Sequence, residues 1–283
     1  MDFYHSSTGN DIPIIDDTPE GRAYAMPSKI DGSAVGYAYV PRDYSVYPKE
    51  MFDPPSGMPL IPESEMDARW EEQEALKSSL EHVYLGGPGG TPIFTNLDQN
   101  GDGHCWAYST GQAIMLVRAS MHQPLVRLNP HSIAVCLRQL QGGWCGLSAR
   151  FALANGLAEE GTGPGQWPLH SNSASNDTPA CRALMAQYKV TEDWIDLTRD
   201  VYDQNLSDQM SKTCSFINVP HPSDFNHWSH SVCTVRWVRI EPGSWGRLIL
   251  NSWKGWGRHG LGVLRGDKAR SDGAVAFRAA IAA

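Results

Sequence analysis

The chain predicts an α+β fold with a helical first half and a β-rich second half. Three observations carry this. A glycine-broken loop, Gln99 to Gly103, runs into an apolar segment from Cys105 to about Met121 that reads as a buried helix. From about Ser215 onward the apolar period shifts toward two and the residues become β-branched. The 283 residues contain no long apolar run, which gives room for one large or two modest domains and no membrane-spanning helix.

Taken in order, residues 1 to about 60 hold many prolines, tyrosines and aspartates with no sustained period. The prolines from Pro41 to Pro55 exclude a long helix, because each removes a donor and restricts its neighbour. We read 1–60 as an extended arm that packs on its own domain or on an assembly partner, and 61–283 as the main domain. The stretch Met1–Asp17 is polar and acidic and does not read as a signal peptide. A cytoplasmic location and a place in a virus particle both stay open. The net charge of −8 suggests neither nucleic acid nor an anionic membrane as a partner.

Glu63 to about Tyr84 reads as one helix, capped by Ser64, with Trp70, Ala75, Leu76, Leu80 and Val83 as its apolar stripe. Gly86 to Gly90 breaks the chain, and Thr91–Phe94 is a short extended piece. After the central helix, Pro130 opens a second helix through Ile133, Ala134, Cys136 and Leu137. Gly142 to Gly146 is a turn, and Leu147 to about Asn155 a third helix. Residues 161–178 read as loop, followed by a short helix near Ala180–Gln187. Strands are expected at Ser215–Val219, Ser231–Ile240, Arg247–Leu250, Leu261–Leu264 and Ala274–Phe277.

Chemistry concentrates at Cys105. It sits where a helix begins, and the free N–H groups and dipole there favour a thiolate. Gln99, six residues upstream, is close enough to point an amide at the same place. A cysteine nucleophile needs a base, and the base needs an orienting partner. His230 begins the first long strand of the second half, and Asn251 ends the next, so an antiparallel pairing can bring them together. His227 is the rival base, and His230 is preferred because the strand starts directly after it. No metal or cofactor is expected. Asp98 to Gly103 has the D-x-N-x-D-G start of a calcium loop, but its twelfth position is Ser109 rather than Glu. His221, His227, His230 and Cys233 match no common zinc spacing, and no C-x-x-C pair occurs among the six cysteines.

These blocks, in this order, resemble the papain-like cysteine proteases. Gln99 with Cys105-Trp106-Ala107-Tyr108-Ser109 resembles the family's active-site segment, and His230-Ser231-Val232 its histidine strand. Asn251-Ser252-Trp253-Lys254-Gly255-Trp256-Gly257 resembles its Asn-Ser-Trp segment. Cys105 precedes His230 by 125 residues and Asn251 by 146, against a family spacing of about 130–150. Asn129 to Cys136, Gly142-Gly143 and Ala149–Ala152 resemble the second and third helices, so the similarity spans roughly residues 90 to 267.

The resemblance implies a two-lobed fold: a helical lobe with a buried central helix, an antiparallel β-barrel-like lobe, and an active-site cleft between them. It implies hydrolysis of a peptide or protein substrate with Cys105 as nucleophile, His230 as its imidazolium partner and Asn251 as orienter. The Gln99 amide and the Cys105 N–H would form an oxyanion hole, worth about 3–4 kcal/mol per donor. Trp253 would shield the His230–Asn251 contact, and Gly142 and Gly143 would line the groove. Other readings are a catalytically silent docking component on the same fold and another acyl transfer at the same site. His104 stands where the family usually has Ser or Ala, and Asp102 where it has a disulfide-forming cysteine. Cys136 and Cys181 lie near positions that pair in the family.

Overall fold

The central helix and the sheet it lies on organise the molecule. The structure is a computed structural model, and it describes residues 1–16, 39–48, 51, 59–190, 195–197 and 204–277. The remainder of the N-terminal arm, including Phe52–Pro55, lies outside the described residues. The helix, Cys105–Ser120, is buried from Cys105 through Arg118. Two of its hydroxyls find partners: Ser109 Oγ donates to the Trp106 carbonyl at 3.1 Å, and Thr110 Oγ1 lies 2.6 Å from Ser148 Oγ. A helix buried on all sides keeps such residues only where they find partners.

Seven α-helices are described: α1 Glu63–Leu76, α2 Leu80–Tyr84, α3 Cys105–Ser120, α4 His131–Cys136, α5 Cys145–Asn155, α6 Pro179–Met185 and α7 Gln204–Phe216. The strands are β1 Phe3–His5, β2 Asp11–Ile15, β3 Leu128–Asn129, β4 Ala158–Glu159, β5 Ile195–Asp196, β6 His221–Phe225, β7 His230–Glu241, β8 Ser244–Leu250, β9 Leu261–Arg265 and β10 Gly273–Ala276. Eight of them form one sheet in the order β1-β2-β9-β8-β7-β6-β10-β5, while β3 and β4 pair separately. All ladders are antiparallel except that between β2 and β9. Helix α3 packs on β7 and β6, and α5 packs on α3. The expected α+β class and two-lobed arrangement therefore hold. The second lobe is an open sheet among the described residues, without a ladder closing it into a barrel.

Several elements differ from expectation. The first helix is two: Lys77 takes φ 50°, and α2 restarts under a Ser79 cap that accepts from the His82 N–H. Pro62, not Ser64, occupies the first N-cap, and Leu76 is exposed rather than part of a stripe. Ser215–Val219 is not a strand. Its first residues end α7, whose Met210 and Cys214 pack beneath the sheet with Leu206. The strand there is β6, hidden by Pro222 and by buried polar residues. Strand β7 does not present one inner and one outer face. It is buried from His230 to Val238, with a bulge between Thr234 and Arg236. The arm contributes β1 and β2, the second of which adds to the sheet edge beside β9.

A buried charge cluster joins these parts. Arg236 on β7 lies over the Trp70 ring at 4.0 Å, and its Nη1 is 2.6 Å from Glu74 and 3.6 Å from Glu81. Glu81 is fully buried and accepts from Tyr4 at 3.2 Å and from Ser6 of the arm. Burial pushes its carboxyl up, and Arg236 opposes that.

Candidate active site

Cys105 is the first residue of α3 and is fully buried, with His104 at the N-cap. The loop before it is locked on both sides. The Gln99 N–H donates to the Ser252 carbonyl at 2.9 Å, and Gln99 Oε1 accepts from Ser252 Oγ at 2.7 Å. Gln99 Nε2 donates to the Asp102 carbonyl at 2.7 Å, which uses one of its two protons. The amide is thus fixed in orientation, with a second N–H on the same nitrogen.

His230 opens β7, and Asn251 follows the end of β8, one strand away. The Ser252 N–H donates to Asn251 Oδ1 at 2.7 Å, which settles which side-chain atom is oxygen. His230 Nε2 lies 2.9 Å from that same oxygen, so Nε2 carries the proton and donates it. The neutral ring then has its lone pair on Nδ1, which makes no hydrogen bond. Burial pushes the His230 pKa down to about 4, against the Asn251 hydrogen bond, which raises it. Trp253 stacks on the imidazole with centroids 4.3 Å apart and planes 23° apart, and Trp228 meets it edge-on at 5.3 Å.

The Asn251 backbone is tied to the other lobe. Its carbonyl accepts from Asn96 Nδ2 at 3.1 Å and from Gln112 Nε2, on α3, at 3.2 Å. Cys105 is therefore bracketed: Gln99 before it and Gln112 after it both bond the Asn251–Ser252 segment that holds His230. Gly142 and Gly143 run beside the same loop. The Gly142 N–H donates to the Gly103 carbonyl at 3.1 Å, and Gly142 has φ 82°, a conformation that favours glycine. A Cβ on Gly143 would stand 2.7 Å from the Trp106 ring.

The arm crosses at this point. The Val40 N–H donates to the Gly143 carbonyl at 2.9 Å, and the Tyr39 N–H to the Ser229 carbonyl, next to His230, at 3.2 Å. Arg42 follows, ion-paired with the buried Asp196 and lying over Trp144 at 4.8 Å. The cavity beneath is lined by Tyr39, Arg42, Trp144, Cys145 and Asp224. Asp224 accepts from the Cys145 N–H at 3.0 Å and from Ser231, and burial pushes its carboxyl up to about 6.

Gln99, Gly142, His230, Asn251 and Trp253 are thus linked by these contacts to the loop before Cys105 or to the Asn251–Ser252 segment. The reading of the motifs passed over Ser252, Gln112, Asn96 and Trp228. Ser252 was legible, since it sits inside the Asn-Ser-Trp block; the other three act through backbone or ring contacts that no spacing announces. No disulfide is present among the described residues, so Cys136 and Cys181 are not joined.

Solved structures of similar shape are cysteine proteases. Xylellain, a cysteine protease from Xylella fastidiosa, superposes with a TM-score of 0.57 at 18% identity, over 87% of this chain and 97% of that one. The chain has the papain-like fold. Procathepsin L2 from the larval midgut of Tenebrio molitor gives 0.57 at 15% identity, over 94% of this chain and 81% of its own. Procathepsin L 3 of the same insect gives 0.50 at 14%, over 93% and 78%. No family model matches the sequence, and no curated protein matches it. Among the described residues, no helix of this papain-like chain is long and apolar enough to cross a membrane.

Proposed function

We propose that the chain is a cysteine peptidase of papain type, held latent by residues 39–48 of its own arm. The observation that carries the reading is the hydrogen bond from His230 Nε2 to Asn251 Oδ1, which leaves Nδ1 as the basic nitrogen of the ring. In the reaction, His230 Nδ1 takes the Cys105 thiol proton, and the thiolate attacks the substrate carbonyl carbon. The developing oxyanion is met by the Cys105 N–H and the Gln99 amide. His230 returns the proton to the leaving amine as the C–N bond breaks, leaving a thioester. Water, deprotonated by His230, then releases the acid and restores the thiol.

Latency rests on the arm's use of two backbone acceptors, the Gly143 and Ser229 carbonyls, that border the nucleophile loop and His230. The likeness to a procathepsin covers 94% of this chain, more than residues 61–283 alone supply. The test is labelling with a peptide vinyl sulfone or epoxide, before and after excision of residues 39–48 by limited proteolysis. Adduct on Cys105, absent in Cys105→Ala, supports the reading. A folded protein freed of residues 39–48 whose Cys105 stays unlabelled overturns it, and leaves the docking-component reading in its place. Label without hydrolysis, but with capture of an added amine, marks the site as an acyl transferase.

A further inference from the structure

We propose that Asp102, His104 and His131 form a binding site for a divalent transition-metal ion of the zinc class, beside the nucleophile loop and independent of the peptidase reading. Asp102 and His104 are the two residues by which this loop departs from its relatives. The third member comes from the start of α4. A carboxylate oxygen of Asp102 and one nitrogen of each histidine lie within 4.8 Å of one another. His104 and His131 are 1% and 0% exposed, while the Asp102 side chain is 30% exposed, which leaves an entry path.

The hydrogen-bond network presents lone pairs inward. Asn172 Nδ2 lies 3.4 Å from Asp102 Oδ1, which can only accept, so the Asn172 amide oxygen is the atom facing His131. His131 Nδ1 is 2.9 Å from that oxygen and therefore donates to it. This leaves His131 Nε2 without a hydrogen-bond partner, 3.6 Å from Asp102 Oδ2. Likewise His104 is hydrogen-bonded to the Leu140 backbone, and its Nδ1 has no partner. A buried nitrogen lone pair facing a carboxylate is repulsive unless a cation lies between them. An imidazole whose second nitrogen donates to an amide oxygen is how proteins fix a metal-binding tautomer. Ligand atoms at about 2.0–2.2 Å around a tetrahedral ion stand roughly 3.3–3.6 Å apart, and the Asp102–His131 pair is already at that separation. Imidazole with carboxylate selects zinc-like ions over calcium. A third imidazole, His170, stands 5.7 Å from the His131 ring, and its Nδ1 also lacks a partner.

The rival is a proton in place of the metal, giving a His131 imidazolium paired with Asp102. The experiment is calorimetric titration of Zn²⁺ into the full-length Cys105→Ala protein, with Co²⁺ absorption as a second readout. One equivalent of saturable binding is expected, weakened at least about tenfold by His131→Gln and by the partly exposed Asp102→Asn. The cobalt bands should shift to the same degree. Zinc held by the other cysteines is indifferent to Asp102→Asn. Absence of binding, binding unchanged by Asp102→Asn, or an NMR titration showing His131 protonated at neutral pH would each overturn the site.

Discussion

Two neighbours and burial each act on a different property of the His230 ring. Asn251 fixes the tautomer, Trp253 covers one face, and burial disfavours the charged form. Asn251→Ala removes the tautomer lock while leaving the groove, so kcat should fall about tenfold or more, roughly 1.4 kcal/mol in the barrier, with KM little changed. Steady-state kinetics on the protein freed of residues 39–48 checks this, and a change confined to KM would remove the orienting role. Burial also sets a pH dependence. His230 and His221 have folded pKa values near 4 and 3, both lowered chiefly by burial from 6.5. Between those values and 6.5 the unfolded chain binds more protons, so stability falls as pH falls, by about 1.4 kcal/mol per pH unit for each proton. Asp224, raised by burial from 3.8 to about 6, and the buried Glu81, also raised, act in the opposite sense, while His104, lowered chiefly by burial to about 4, acts with the two histidines. Urea midpoints at pH 7, 5.5 and 4.5 should therefore decline; a flat or rising series would contradict this balance.

At the level of elements, the site is placed by where helices and strands begin and end. That is why so much of it was legible. A nucleophile at a helix start, a base at a strand start and an amide after a strand end are positions where chemistry demands particular residue types. The elements misread lack such demands. Helix α7 carries its apolar signal only as Leu206, Met210 and Cys214, every fourth residue, and the Phe216–Val219 cluster pulled the reading toward a strand. Strand β6 is buried along its length yet is His221, Pro222, Ser223, Asp224 and Phe225, a pattern without hydrophobic alternation. Its polar groups are tolerated because β7, α5 and α7 satisfy them, as in the Ser223–Thr234 and His221–Ser211 hydrogen bonds, both at 2.8 Å. Close packing here is testable. Gly143→Ala places a carbon 2.7 Å from the rigid Trp106 ring, so it should cost about 1–3 kcal/mol and disturb the loop before Cys105. Chemical denaturation reads the first effect and labelling rate at Cys105 the second. Full stability in Gly143→Ala would mean that the Trp106 ring yields easily.

At the scale of the whole molecule, the arm is bound at two places that differ in kind. Its first residues enter the core: Tyr4 and Ser6 reach the buried Glu81, which with Glu74 faces Arg236 on β7. Arg236→Ala leaves two acidic groups without their cation and should destabilise the fold by about 3–5 kcal/mol in a urea melt. A loss below 1 kcal/mol would show that water already screens the cluster.

The second attachment, residues 39–48, lies against the site itself. Arg42 is its anchor, through the Asp196 ion pair and through Nε and Nη2 bonds of 2.6 Å to the arm's own Tyr47 and Pro48 carbonyls. An attachment of this kind is separable from the fold, whereas the first is not. Arg42→Ala leaves the buried Asp196 without its cation only while the segment stays down, so the urea midpoint should fall by less than in Arg236→Ala. The substitution should also raise the rate of Cys105 labelling by a peptide vinyl sulfone in the uncleaved protein, about tenfold for each 1.4 kcal/mol of arm affinity lost. The comparison that decides is Arg42→Ala against proteolytic removal of the segment. If the two reach similar labelling rates while β1 and β2 stay in place, residues 39–48 alone impose latency. If Arg42→Ala labels no faster than the parent while the cleaved protein labels well, the barrier lies elsewhere in the arm.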